Sequence, residues 1–123
     1  MVRARIRRAG VALVCALVGV AGSAGEALAW DNYYCGVLLN SGSWCGDGSN
    51  HTYDWNRADY FGTGSTMVCA RLLYADSSSV RGAQCGTNYS IYNLGTNTTT
   101  LYEAEVKHED GTARHTINGH AFA

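Results

Sequence analysis

The pattern of apolar and polar residues beyond residue 29 is that of short β-strands. Runs rich in aromatic and β-branched residues alternate with clusters of Gly, Asn, Asp and Ser, and no window shows sustained helical periodicity. One helical turn is expected at Trp55–Tyr60. The predicted strands are Tyr33–Leu39, His51–Trp55, Thr66–Tyr74, Tyr89–Tyr92, Thr100–Glu109 and Thr112–Phe122. This spacing predicts an all-β fold, a small antiparallel sandwich or barrel.

The clearest local prediction is a C-terminal β-hairpin. Asp110-Gly111 is a two-residue turn signal between two alternating runs, and it places Lys107 opposite Arg114. The alternation gives the hairpin one polar face and one mostly apolar face, as in a sheet that covers a core on one side. The apolar face carries Tyr102, Ala104, Val106 and His108 on the first strand, and Ala113, His115, Ile117 and Gly119 on the second.

A segment of different composition precedes the strands. Residues 1–29 combine four arginines, a ten-residue apolar run at Val11–Val20 and a terminal Ala-Leu-Ala cleavage signal. These are the parts of a secretory signal peptide, and the apolar run is much shorter than the roughly 20 residues of a membrane-spanning helix. The Ala- and Arg-rich leader is typical of bacterial export. We therefore expect cleavage to leave residues 30–123 as one small secreted domain with no membrane insertion.

Removal of the leader would make the remaining chain acidic. The leader holds four of the nine basic residues but one of the ten acidic ones, which leaves five basic and nine acidic side chains. Nucleic acids and anionic membranes are bound by clustered Lys and Arg. The five remaining cations are scattered along the sequence, so we expect no nucleic-acid partner.

Four cysteines follow the leader, at Cys35, Cys45, Cys69 and Cys85. Small exported domains commonly use an even set of cysteines as disulfides. Of the three possible pairings we favour Cys35–Cys45 with Cys69–Cys85, because each pair flanks a turn-rich segment and would join neighbouring strands. A zinc site is disfavoured, since the gaps of nine, twenty-three and fifteen residues do not match the close cysteine pairs of structural zinc.

Two histidines of the predicted hairpin are weak candidates for metal binding or acid–base chemistry. His108 and His115 would lie diagonally on the mostly apolar face, and imidazole binds metals and exchanges protons near neutral pH. Spacing identifies no third ligand, because His120 falls on the opposite face and His51 is distant in sequence. We expect both side chains to be satisfied by backbone or water, with no metal and no cofactor.

The sequence assembles no catalytic set. His51 has Asp and Ser neighbours, but there is no G-x-S-x-G motif, and the favoured bridges use every cysteine beyond the leader. A small secreted nuclease or other hydrolase would draw on residues of the hairpin, namely Glu103, Glu105, Arg114, His115 and His120. The alternation turns Glu105 and Arg114 away from His115. We predict a protein that is not an enzyme and keep a secreted hydrolase as one alternative.

Aromatic residues crowd the first half of the predicted domain and support a binding function. Exposed Trp and Tyr rings stack on sugars or anchor protein interfaces, whereas a small domain short of Leu and Ile also uses rings in its core. We expect most of the thirteen aromatic residues to be buried and Trp30 and Trp55 to be exposed. The candidate binding residues are Trp30, Trp44, Tyr53, Trp55, Asp47 and Asn50.

We therefore expect an extracellular binding module, a monomer, whose partner is a cell-wall or polysaccharide surface or another extracellular protein. The size, leader and two-bridge β pattern are similar to those of small secreted actinobacterial proteins, among them crystallin-like protease inhibitors and lactococcin-like bacteriocins. No motif of either group carries over to individual residues. A protease inhibitor or bacteriocin-like protein is the other alternative, and an inhibitor would expose a rigid loop, for which Gly46–Asn50 is the best candidate.

Overall fold

The computed structural model describes residues 31–123, so the expected leader and Trp30 lie outside the described residues. The eight strands are β1 (Asp31–Asn40), β2 (Cys45–Gly46), β3 (Trp55–Asp59), β4 (Met67–Tyr74), β5 (Val80–Thr87), β6 (Tyr89–Asn93), β7 (Tyr102–His108) and β8 (Arg114–Phe122). Sheet A has the order β1-β8-β3-β6 and sheet B the order β2-β7-β4-β5, all antiparallel. The predicted all-β fold is confirmed, and it is sandwich-like.

The core lies between the two sheets and follows the alternation of the strands. On β7 every second residue from Tyr102 to His108 is buried, while the residues between them are half buried. The Tyr34 ring occupies space above its strand partner Gly119, which has no side chain. A Cβ on Gly119 would lie 2.4 Å from Cζ of Tyr34. Tyr34 therefore packs inward over β8, and its neighbour Tyr33 points outward and is exposed.

Both disulfides have the favoured pairing. Cys69–Cys85 joins directly opposite residues of the neighbouring strands β4 and β5, as expected. Cys35–Cys45 instead joins an edge strand of sheet A to an edge strand of sheet B, so it links the two layers. The two bonds are consistent with an oxidising extracellular environment.

Several segments of the chain differ from the sequence prediction. The helical turn expected at Trp55–Tyr60 is wrong, because this segment forms β3 and pairs with both β6 and β8. The strand expected at His51–Trp55 makes only an isolated bridge, from His51 to Tyr102, before β3 begins. Strand β5 was not predicted, because its Gly, Ala and Gln residues have little intrinsic strand preference.

The two C-terminal strands that flank the Asp110-Gly111 turn are confirmed as β7 and β8. Their predicted mutual register is wrong, because β7 bonds to β2 and β4, whereas β8 bonds to β1 and β3 in the other sheet. Alternation determines which side of a strand faces the core but not which strand lies beside it. The predicted apolar sides are right, and Val106 and Ile117 are both fully buried between the sheets.

Candidate functional site

The outer surface of sheet A carries a set of aromatic and polar side chains that we call the aromatic face. Residues paired across strands point to the same side of a sheet. Ala58 and Gly119 are such a pair and point into the core, so their neighbours in β3 and β8 point outward. The aromatic face consists of Tyr33 from β1, Asn118, His120 and Phe122 from β8, Trp55, Arg57 and Asp59 from β3, Tyr89 from β6, and Phe61 just after β3.

His120 lies at the centre of the aromatic face. Its ring stacks on Tyr33, with centroids 4.0 Å apart and planes at 11°, and it meets Trp55 edge-on at 4.7 Å. Its Nε2 lies 2.7 Å from Oδ1 of Asp31, while its Nδ1 has no hydrogen-bond partner among residues 31–123. These neighbours bury the imidazole, so Tyr33 uses one side of its ring on His120 and leaves the other side to solvent.

Arg57 is the cation of the aromatic face and lies opposite His120 on the adjacent strand. Its Nε donates to Oδ2 of Asp59 at 2.8 Å, and its guanidinium carbon lies 5.9 Å from the ring centroids of both Trp55 and Tyr89. Arginine has five N–H donors. Within the described part of the chain Asp59 takes the Nε donor, which leaves the terminal amino groups of Arg57 available to a ligand.

A hollow of about 200 Å³ opens beside His120 on the aromatic face. Its lining consists of Tyr33, Tyr34, Arg57, Asp59, Phe61, Asn118, Gly119 and His120. Tyr33 is 70% exposed and Phe61 79% exposed, the largest values among the exposed large apolar side chains of residues 31–123. The hollow thus combines two largely exposed aromatic rings with the guanidinium of Arg57, the carboxylate of Asp59 and the amide of Asn118.

The outer surface of sheet B is different, and we call it the charged face: Trp44, Arg71, Glu103, Glu105 and Lys107. The guanidinium carbon of Arg71 lies 3.8 Å from the Trp44 ring centroid, and Nζ of Lys107 lies 4.7 Å from it. Arg71 also pairs with Glu105 at 2.6 Å, and Lys107 pairs with a glutamate beyond the strand. Trp44, a predicted binding residue, is therefore engaged by cations of its own chain.

The predicted binding residues Asp47, Asn50 and Tyr53 lie away from the aromatic face. Tyr53 is fully buried and donates its hydroxyl to Asp47; burial and this bond to a carboxylate raise the pKa of Tyr53 far above its ordinary value. Asn32 donates to the same hydroxyl at 2.8 Å, and the Ser49 amide donates to Asp47 at 3.2 Å. Asp47 and Tyr53 thus hold a loop onto the core, with Asn50 exposed on that loop.

Among the predicted binding residues within 31–123, Trp55 is the one that belongs to the aromatic face, where it is half buried. The other members were not predicted as site residues. A signal for two of them exists, because the strand WNRAD places Arg57 and Asp59 on the same side as Trp55 once it is read with a period of two. The missed residues of the face are Tyr33, Arg57, Asp59, Phe61, Tyr89, Asn118, His120 and Phe122.

His108 and His115 are close, with ring centroids 5.1 Å apart, but both imidazoles are engaged by the protein. His108 is fully buried; its Nε2 donates to the Leu39 carbonyl at 2.8 Å, and its Nδ1 accepts from the Asp110 amide at 3.3 Å. His115 pairs with the Asp110 carboxylate. Within residues 31–123 no three His, Cys, Asp or Glu side chains are grouped so as to hold a metal ion.

A second, more open hollow of about 460 Å³ lies between the turn after β4 and the segment before β7. Its lining consists of Tyr74, Ala75, Asp76, Thr99, Thr100 and Leu101. It contains one ring and one carboxylate but neither a cation nor a side-chain amide. It therefore offers a ligand fewer oriented polar groups than the hollow of the aromatic face.

Comparison of the chain with protein-family models, with curated proteins and with solved structures gave no match in any of the three. Within residues 31–123 no helix is long and apolar enough to cross a membrane.

Proposed function

We propose that this protein is a non-catalytic extracellular binding module that holds polysaccharide, such as that of a cell wall, on its aromatic face. One observation carries the proposal: the largely exposed rings of Tyr33 and Phe61 line the same hollow as three polar side chains, those of Arg57, Asp59 and Asn118. Ligand sites are typically concave, with apolar and aromatic walls and a few polar groups that fix orientation. The hollow has this composition.

Sugars match such a surface because they are amphipathic. The C–H groups of a pyranose form an apolar patch that packs on an aromatic ring, and the hydroxyls around its edge both donate and accept hydrogen bonds. Tyr33 offers one open side of its ring, since His120 stacks on the other. Arg57 supplies donors, Asp59 supplies acceptors and the Asn118 amide supplies both.

The strand that carries Tyr33 is fixed to both sheets, which favours binding. The edge strand β1 that carries Tyr33 is bonded to β8 and tied to sheet B through Cys35–Cys45. A site that is already ordered loses less conformational entropy on association. Export, expected from the leader, would bring this surface to extracellular glycans.

The direct experiment is co-sedimentation of the purified, oxidised protein with bacterial cell walls and insoluble polysaccharides. We expect saturable binding that is lost when both disulfides are reduced. The variant with Tyr33→Ala and Phe61→Ala should bind about 10-fold more weakly, because each aromatic contact contributes about 0.5–1.5 kcal/mol. Leu101→Ala is the matched control, since Leu101 is an exposed apolar residue of the second hollow.

Two results would overturn the proposal. One is the absence of binding to every wall and polysaccharide tested. The other is binding that Leu101→Ala abolishes and the Tyr33 and Phe61 changes do not, which would move the site to the second hollow. Thermal unfolding of each variant identifies losses that come from misfolding, because both rings lie largely in solvent.

A protease inhibitor is the second candidate, favoured by the loop at residues 46–50. Ser49 donates its backbone amide to Asp47 at 3.2 Å, and Asp47 in turn is bonded to the buried Tyr53. Gly48, Ser49 and Asn50 are exposed beyond this anchor. Inhibition of a protease that is lost on changing these exposed residues would support this function, and inactivity against a broad protease panel would exclude it.

A further inference from the structure

We propose that the ligand of the aromatic face is an uncharged polysaccharide, of pyranose rings with equatorial hydroxyls, and that acidic polysaccharides are excluded. This inference rests on the proposed function and names the ligand class of the same hollow. It is argued from the charges around Arg57, from the donors and acceptors that face the hollow, and from the rings that line it.

The charge of the hollow does not favour an anion. Arg57 is the cation in its lining, and the Asp59 carboxylate already lies 2.8 Å from its Nε. Asp31 adds a second carboxylate next to His120. An acidic sugar at this position would approach the Asp59 carboxylate in order to reach the terminal amino groups of Arg57, whose charge Asp59 already offsets.

No other cation compensates from nearby within residues 31–123. Arg71 and Lys107 lie on the charged face and are paired there. Arg114 is on the outer side of β8, four residues from Asn118, which is about 13 Å along an extended strand. That distance exceeds the Debye length of about 10 Å at 0.1 M ionic strength. Arg81 lies on β5 of sheet B and donates to the hydroxyl of Tyr92.

The hydrogen-bonding groups also match hydroxyls better than carboxylates. Asp59 can only accept, Arg57 can only donate, and Asn118 does both. A sugar hydroxyl donates and accepts at once, so neighbouring hydroxyls can serve Arg57 and Asp59 together. A ligand carboxylate only accepts, which would leave the Asp59 oxygens facing another acceptor.

The exposed ring of Tyr33 favours pyranoses that have a flat apolar face. Tyr33 is fixed against His120 with nearly parallel planes, so its open side is a flat surface of set orientation. Pyranoses whose substituents are equatorial carry their C–H groups on a flat face that can lie on such a ring. Axial substituents would hold the sugar away from Tyr33 and from the polar groups of the hollow.

The test uses matched polymers that share a backbone and differ in charge. Affinity electrophoresis would compare hydroxyethylcellulose with carboxymethylcellulose, and glycol chitin with carboxymethylchitin. We expect retardation by at least one uncharged polymer and at least about 5-fold weaker binding to its carboxymethyl counterpart. Tyr33→Ala should reduce binding to the uncharged polymer.

Asp59→Asn gives a second, independent measurement. The change removes a carboxylate and leaves the Arg57 guanidinium unpaired, so we expect affinity for the carboxymethyl polymer to rise by about 5-fold or more. Asp76→Asn is the charge-matched control, because Asp76 is an exposed carboxylate of the second hollow. It should leave the preference between the two polymers unchanged.

The outcomes separate this inference from the proposed function. Stronger binding to the carboxymethyl polymer that still depends on Tyr33 would overturn the exclusion of acidic glycans while the polysaccharide-binding function stands. Equal binding to both polymers with no effect of Asp59→Asn would also overturn it. Failure of all four polymers, together with cell walls, would overturn the function itself.

Discussion

The two outer faces of the sandwich both contain aromatic rings, but the rings differ in what covers them. On the charged face, Arg71 and Lys107 lie 3.8 and 4.7 Å from the centroid of Trp44. On the aromatic face, Tyr33 and Phe61 are 70% and 79% exposed. A ring that contacts cations of its own chain has already used the surface that a ligand would need. Exposure after packing, and not aromatic content, therefore distinguishes a binding face.

The difference arises from the outward positions of the strands. On β7 these positions are charged, and Arg71 from β4 lies directly opposite Glu105 and pairs with it. On β3 and β8 the outward positions combine rings with a few polar groups, and the pairs within residues 31–123 are Arg57–Asp59 and His120–Asp31. Surface ion pairs contribute little to stability, but on the charged face Arg71 and Lys107 also cover the Trp44 ring.

The two disulfides offer the largest test of this comparison, because Cys35–Cys45 ties the strand that carries Tyr33 to sheet B, whereas Cys69–Cys85 lies within sheet B. Cys35→Ala with Cys45→Ala releases the strand that carries Tyr33, whereas Cys69→Ala with Cys85→Ala releases β5 at the edge of sheet B. Each pair of changes should lower the free energy of unfolding by about 3 kcal/mol, as expected for short closed loops. Urea unfolding measures this loss.

Binding should separate the two disulfide variants. We expect the first to lose polysaccharide binding under conditions in which circular dichroism shows folded protein, since Tyr33 would no longer be held against His120. The second should bind like the unchanged protein. Equal loss of binding in both variants would mean that the aromatic face does not depend on the position of β1.

Asn56 lies beneath the aromatic face and ties β3 to sheet B. Its buried Nδ2 donates to the carbonyls of Arg71 and Glu105, each at 3.0 Å, and its Oδ1 accepts from Tyr34 at 2.6 Å. Asn56→Leu removes these hydrogen bonds, so the free energy of unfolding should fall by about 2–3 kcal/mol. Urea unfolding of this variant checks the value.

Asn50→Leu is the control for Asn56, because it makes the same chemical change on an exposed loop. Its effect should stay within about 0.5 kcal/mol. If the two changes cost the same, the amide of Asn56 is not the link between the layers. A loss of polysaccharide binding by folded Asn56→Leu would show that the link also positions the aromatic face.

The sequence predicted the fold where long alternation was present and missed it where pairing was non-local. Strand β7 alternates over seven residues, which is enough to identify it and its buried side. The five-residue β3 is too short to show a clear period, and it becomes a strand because β6 and β8 flank it. Strand β5 depends on pairing with β4, which its own Gly, Ala and Gln residues do not encode.

The candidate site was harder to predict because its contacts join distant parts of the chain. Trp55 was predicted as an exposed ring beside a turn, and the structure instead has it half buried on the aromatic face, where it packs against His120 and Phe122. The bond from Asp31 to His120 spans 89 positions, and the stack of Tyr33 on His120 depends on the register of β1 with β8. Placing His120 on the polar side of its strand was right, but no local pattern showed which rings would meet it there.

Unfolding at alkaline pH is expected to depend on the ionisation of two tyrosines that pack in the core, Tyr34 and Tyr53. Burial raises the pKa of Tyr34 well above its usual value, and burial together with the bond to Asp47 raises that of Tyr53. A tyrosine whose pKa is higher in the folded state stabilises the protein below the unfolded pKa of about 10, and this stability is lost as the pH rises further. Stability should therefore fall above about pH 10.

Tyrosinate absorbance measures this directly. Part of the tyrosine signal should appear only with unfolding, because Tyr34 and Tyr53 ionise when they reach solvent. Tyr34→Phe should shift the unfolding midpoint to higher pH, at the expense of its hydrogen bond to Asn56 near neutral pH. Tyr33→Phe, the adjacent residue on the exposed side, should leave the midpoint unchanged. Smooth ionisation of all tyrosines before unfolding would contradict the buried placement.

Glu103 provides the smallest expected effect and tests the charged face. Partial burial raises its pKa, and the nearby carboxylates of Glu105 and Asp47 raise it further. Because the folded pKa lies above the unfolded one, Glu103 favours folding when protonated, and this contribution is lost as the pH rises through the folded pKa. Glu103→Gln should therefore raise the unfolding temperature slightly at pH 7, and the gain should disappear in acid.

Glu109→Gln is the control for Glu103. It removes the partner of Lys107 and should give no such gain. A lower unfolding temperature for Glu103→Gln at pH 7 would contradict this expectation. It would mean that the Glu103 carboxylate stabilises the charged face as an anion, as the Glu105 carboxylate does in its pair with Arg71.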